Sequence, residues 1–178
     1  MKDKNLIVYS GSFNPWHKGH ERVYDYIHKF FGKYPIIEIN FGPSDCTGKK
    51  EIDHAAVLER ISKLPYLSRY IITPHQYFVY KAAYLKSLFK CPNITFAIGS
   101  DTARKLDEYA TNYNCPGYED RTYLMELLRY GVKFLVFPRT IGEKIELSEN
   151  INEACLIVNN FIPVEISSTE IRQYENTR

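Results

Sequence analysis

The sequence predicts an α/β chain built on a parallel sheet, and three observations predict it. Apolar runs of five to seven residues recur along the chain, and helical spacing follows most of them. Polar segments bearing Gly or Pro punctuate the runs. Two of the run-to-helix junctions, residues 10–20 and 99–102, are rich in Gly and polar side chains. Open α/β sheets bind ligands at such junctions, outside the carboxyl ends of their strands.

Taken in order, residues 5–9 read as a buried strand leading into residues 10–20. Residues 21–31 read as a helix stopped by Gly32, and residues 35–41 (PIIEINF) as a second strand. The polar loop 42–50 follows, where Lys49 and Lys50 either reach a phosphate or form a solvated basic loop. Residues 53–64 form a second helix, with Asp53 as N-cap and Ala56, Leu58 and Ile61 packing it. Residues 69–73 are a short third strand. Residues 77–89 are a third helix, whose stripe of Tyr80, Ala83, Tyr84 and Leu88 reads as core.

Pro92 breaks the chain before a central strand at 93–98 (NITFAI). Ser100 or Asp101 caps the helix that runs to about Tyr109. Residues 111–120 form a loop over the site. Residues 121–130 are helical and stop at Gly131, and residues 132–137 (VKFLVF) form a further strand closed by Pro138 and Arg139. Residues 140–152 are charged and expected at the surface, and the run 155–158 is either strand or helix.

The chain has 178 residues, which suits a single domain spanning 1–178 with a full core. A net charge of +2 gives no electrostatic case for nucleic acid or a membrane surface as partner. Cys46, Cys91, Cys115 and Cys155 are widely spaced, which suggests neither a zinc site nor a disulfide framework. The start is charged and no run reaches membrane-spanning length, so a cytoplasmic setting is expected.

Three stretches carry chemistry. In residues 10–20 (SGSFNPWHKGH), Gly11 lets the backbone approach a ligand, and the free amides of the following helix start face negative charge. His17 and His20 are three apart, so one helical turn puts both on one side, where they donate to phosphate oxygens or simply cap the helix. At 99–102, Gly99 permits close approach, and Asp101 either binds ribose hydroxyls or is a plain N-cap. In residues 166–172 (ISSTEIR), Ser167 and Glu170 make a capping box. Ser168 and Thr169 then lie in a first helical turn suited to phosphate, with Arg172 one turn on.

Residues 10–20 resemble the H-x-G-H signature of the nucleotidyltransferase superfamily. The closest form is that of the nicotinamide and nicotinate mononucleotide adenylyltransferases. Residues 96–106 (FAIGSDTARKL) are similar to that family's Gly-x-Asp-Thr segment, and residues 166–172 to its Ile-Ser-Ser-Thr-x-Ile-Arg segment. The resemblance implies a Rossmann-like single domain, helices sandwiching a mostly parallel sheet of order 3-2-1-4-5. It implies an adenylyltransferase that joins the AMP part of ATP to nicotinamide mononucleotide and releases pyrophosphate, with Mg²⁺ bridging the phosphates and no dedicated metal cluster. Nicotinate mononucleotide, or cytidylyl transfer from CTP, is the alternative substrate, and a regulator that binds nucleotide without turnover is the alternative role.

The catalytic residues it implies are His17, His20 and Arg172, with His20 acting on the transition state. It implies nucleotide contacts from Ser10, Gly11, Ser12, Phe13, Gly99, Asp101, Arg139, Ser167, Ser168 and Thr169. The relatives' pyridine-stacking Trp is missing; Trp16 is the chain's one Trp, so Trp16 or Tyr109 takes that place if any ring does. Partners are expected to be the mononucleotide and ATP, with a homo-oligomer possible.

Overall fold

The computed structural model describes residues 5–41, 54–75, 77–91, 93–112, 122–166 and 171. Its elements are β1 (Asn5–Gly11), α1 (Lys18–Phe31), β2 (Ile36–Asn40), α2 (His54–Ser62), β3 (Tyr70–Thr73) and α3 (Phe78–Phe89). They continue as β4 (Asn93–Gly99), α4 (Ser100–Asn112), α5 (Thr122–Arg129), β5 (Val132–Phe137), α6 (Glu149–Asn152) and β6 (Cys155–Ile157). The strands form one sheet in the order β3-β2-β1-β4-β5-β6, and every pairing is parallel. This is a Rossmann-like α/β fold with the expected order extended by β6.

Side chains alternate across the pleat, so β1, β4 and β5 each feed two cores. Val8, Ile94, Phe96, Ile98, Phe134 and Val136 pack with Phe78, Ala82 and Leu85 of α3. Ile7, Tyr9, Ile37, Ile39, Leu135 and Phe137 pack with Val23, Tyr24 and Ile27 of α1. The spacing of His20, Val23, Tyr24 and Ile27 gives α1 its single buried face. Gly32 ends that helix at φ 67°, the left-handed conformation that lacks a Cβ penalty only in glycine. The strand order reverses between β1 and β4, which opens a crevice at their carboxyl ends.

The structure corrects several expectations. Helix α1 starts at Lys18, not at 21, because His17 caps it. On α3 the tyrosine stripe is not core: Tyr80, Tyr84 and Leu88 are exposed, and Phe78, Val79, Lys81, Ala82 and Leu85 are buried. Lys81 turns inward to a carboxylate on β2, which rotates the buried face by one residue. Leu58 on α2 is exposed, while Val57 and Arg60 are buried. Residues 140–152 are not all surface: Ile151 is fully buried on α6, and Ile145 and Leu147 pack beside it. The open run at 155–158 resolves as strand β6. No helix among the described residues is long and apolar enough to cross a membrane. Asp53, Lys49, Lys50, Cys46, Cys115 and most of the 111–120 loop lie outside the described residues.

Candidate active site

A cavity of about 750 Å³ opens where β1 and β4 end. Ser10, Gly11, Ser12, Phe13, His17, His20, Gly99, Asp101 and Arg139 all line it. The sequence-predicted residues Ser167, Ser168, Thr169 and Arg172 lie outside the described residues, as does the capping-box Glu170. Ile166, immediately before them, lines the same cavity. Tyr109 is on α4, its side chain outside the described residues. Trp16 does not line the cavity; its ring packs 5.1 Å from Phe13 and 5.5 Å from His20.

The two histidines are both a cap and a site. The His17 ring accepts at Nδ1 from the Gly19 amide at 3.1 Å, which satisfies a free donor of the first turn. The His20 ring accepts at Nδ1 from the His17 amide at 3.3 Å, completing a reciprocal capping box. The rings stack with centroids 3.7 Å apart. Because each Nδ1 accepts from the backbone, it carries no proton, and each neutral imidazole holds its proton on Nε2. Two Nε2–H donors therefore belong to the cavity wall. Burial lowers both pKa values, and so do neighbouring charges. His20 is pushed down to about 3 by burial, then by His17 and Arg139; His17 is lowered by burial and then by Arg139.

Three glycines shape the cavity by what occupies the space of their missing Cβ. A Cβ on Gly11 would lie 2.9 Å from the Phe13 ring, one on Gly19 3.0 Å from the His17 ring, and one on Gly99 2.8 Å from Arg139 Nε. Gly11 and Gly99, expected to let a ligand approach, thus first make room for cavity side chains. Phe13 holds φ 45°, an uncommon conformation for a bulky residue. Its ring is almost fully buried against Tyr9, Trp16 and His20, which holds the strain in place.

On the β4 side, Asp101 lies in the first turn of α4 with its carboxylate bound to Arg139 Nε at 3.2 Å and near Arg104 at 3.8 Å. It is not the N-cap, since α4 already begins at Ser100. Glu143 gathers this wall together. It accepts from the Arg139 amide at 2.6 Å, the Ser100 hydroxyl at 3.0 Å and the Arg104 guanidinium at 2.5 Å. Burial works to raise the Glu143 pKa, but the donors from Arg139, Arg104, Ser100 and Thr140 outweigh it and hold the carboxyl below its usual range. Sequence reasoning missed Glu143 because it sits in a charged segment with no motif. The capping of the helix by His17 was one of the two readings the sequence offered; what it did not name is the partner, the Gly19 amide inside the motif.

Comparison with known proteins places the molecule further. The cytidylyltransferase-like family model matches residues 8–174. A probable nicotinate-nucleotide adenylyltransferase of Fusobacterium nucleatum is 29% identical over 177 residues, covering 94% of this chain and 85% of that protein. Among solved structures, the nicotinic acid mononucleotide adenylyltransferase of Plasmodium falciparum superposes with a TM-score of 0.63 in its complex with NaAD. That match has 18% identity and covers 97% of this chain and 84% of the other. The same enzyme complexed with APC gives a TM-score of 0.57 at 20% identity, with the same coverage. At these identities the two structures show a shared fold.

Proposed function

The chain belongs to the cytidylyltransferase-like family, and from that premise we propose that it is an adenylyltransferase making a pyridine dinucleotide from ATP and a pyridine mononucleotide. The observation that carries this is the histidine pair: two imidazoles held neutral, each with Nδ1 tied to the backbone and an Nε2–H left for the cavity. Such donors suit a nucleotidyl transfer, which is mostly positioning plus stabilisation of charge on phosphate oxygens.

In the reaction, an oxygen of the mononucleotide's phosphate forms a bond to the α-phosphorus of ATP. The bond from that phosphorus to the bridging oxygen breaks, and pyrophosphate leaves with the electron pair. We assign His20 to the charge that develops on the α-phosphate and His17 to the neighbouring phosphate oxygens. Gly11 and Ser12 supply contacts from the end of β1. Arg139 exchanges its bond to Asp101 for a phosphate, which frees that carboxylate for ribose hydroxyls. Ser167, Ser168, Thr169 and Arg172 are assigned to the β- and γ-phosphates. The cavity's donor set suits Mg²⁺ arriving on the triphosphate, because the Glu165 carboxylate in its lining offers hard oxygens that would hold the ion or its water. When bound, the ion neutralises phosphate charge.

Nicotinamide and nicotinate mononucleotide are the two acceptors to test. The relatives named above are nicotinate enzymes, which supports nicotinate as the second reading. The deciding assay is pyrophosphate release from ATP and Mg²⁺ with each acceptor, and from CTP in parallel. Release with ATP and either pyridine mononucleotide is the expected result. Release with CTP only would move the chain to cytidylyl transfer. ATP binding without release from any acceptor would make it a nucleotide-binding regulator.

A further inference from the structure

The sheet face opposite the histidines carries a buried ion pair, Glu38 with Lys81, neither of which lines the cavity. Ser10 on β1 and Glu38 on β2 are register partners, so their side chains emerge on the same face. The Ser10 hydroxyl donates to Glu38 Oε2 at 2.5 Å. Lys81 Nζ on α3 donates to the same Oε2 at 2.8 Å and to the Ser10 oxygen at 3.0 Å. The Thr73 hydroxyl on β3 donates to Glu38 Oε1. Glu38 and Thr73 are fully shielded and Lys81 nearly so. Four elements are thus tied at one carboxylate.

A buried ion pair is a poor choice if stability is all that is required. Well-packed apolar groups in its place are often neutral or better. The surrounding face already offers such groups, from Val8 to Phe78 and Val79. What sets this spot apart is Ser10, the residue before Gly11 at the cavity wall. Its hydroxyl both donates and accepts within the group, so it is fixed in direction. Arg60 of α2, itself buried, reaches the same turn and donates to the Ser12 carbonyl at 3.3 Å.

We propose that the Glu38–Lys81 pair positions the turn from Ser10 to Ser12 by fixing the Ser10 hydroxyl from the face opposite the histidines. The strand end then presents its amides, and the histidine turn beyond them, in one geometry. Lys81 and Glu38 are positioning residues and touch no substrate. This rests on the nucleotidyl-transfer reading of the cavity.

A double-mutant cycle on Ser10 and Lys81 tests it, with kcat, ATP KM, ATP dissociation constant and melting temperature measured for each variant. Ser10→Ala and Lys81→Met each lower kcat on the order of tenfold, because small misplacements of reacting groups are costly. Ser10→Ala does so with little change in melting temperature. The double variant is no slower than Lys81→Met alone, since both act through one hydroxyl. Wild-type kcat in Ser10→Ala, or losses that multiply, would overturn the proposal. If Lys81→Met does not fold, E38Q/K81M removes both charges together. It should recover the melting temperature and keep the kcat loss; wild-type kcat there would also overturn the proposal. If the wild type turns over no acceptor, the reaction reading has failed separately. The positioning role is then read from ATP affinity, which Ser10→Ala weakens about tenfold if the role is real and leaves unchanged if it is not.

Discussion

The neutral His20 makes this fold sensitive to acid in a way that one substitution should remove. Its pKa falls from the ordinary 6.5 to about 3, because burial and the charges of His17 and Arg139 oppose protonation. The unfolded chain takes up a proton near pH 6.5 and the folded one does not. Between those values the unfolded state binds more protons, so stability is present above about pH 6.5 and drains as pH falls toward 3. Each pH unit in that window is worth about 1.4 kcal/mol. Moving from pH 6.5 to pH 5 should therefore remove about 2 kcal/mol through His20 alone. Urea denaturation of wild type and His20→Asn at pH 7, 6 and 5 reads this directly. The variant should lose about 2 kcal/mol less across the range, since asparagine does not titrate. Contributions from groups distant from His20 appear in both proteins and cancel in the difference. Parallel stability curves would mean that His20 protonates freely in the folded protein. The argument for a neutral Nε2–H donor would fall with it.

Three other substitutions probe the walls of the site. His17→Ala removes the ring that accepts from Gly19, so it should cost about 1 kcal/mol in urea denaturation as well as slowing pyrophosphate release. Gly11→Ala and Gly99→Ala should part company. The first presses on the buried Phe13 ring and should cost about 1–3 kcal/mol. The second presses only on the flexible end of Arg139, so the melting temperature should hold while ATP affinity changes. Glu143→Gln should weaken ATP binding by loosening the Arg139 wall. In the wild type the wall's stabilisation persists to lower pH than an ordinary carboxylate would allow, since the Glu143 pKa is lowered, and it is lost as pH falls through that lowered pKa.

The strands were legible because period-two alternation and apolar runs report burial directly, and five of the six were read to within two residues. β6 was not, since a three-residue strand has too little pattern to separate it from a helical turn. The site's location was legible from the Gly-rich junctions after β1 and β4. The partners of its residues were not. Glu38 reads as one polar letter in an apolar strand, and Lys81 as a surface cation on a helix; only the fold brings them within 2.8 Å. The same fact explains the misread face of α3. Pattern analysis assigns charge to solvent, so a lysine that turns inward shifts the inferred stripe onto Tyr80 and Tyr84.

Gly11, Gly19 and Gly99 share a consequence for anyone scanning this protein by mutation. Each is a notch in the main chain into which a neighbouring side chain, Phe13, His17 or Arg139, is let like a tenon. Such a joint transmits shape in both directions. A methyl group added at the notch displaces the tenon, and the cavity wall moves with it. Truncating the tenon leaves the notch open, so the partner glycine should tolerate alanine in that background. Paired rescue of this kind would separate a glycine that fits the protein to itself from one that fits it to a nucleotide.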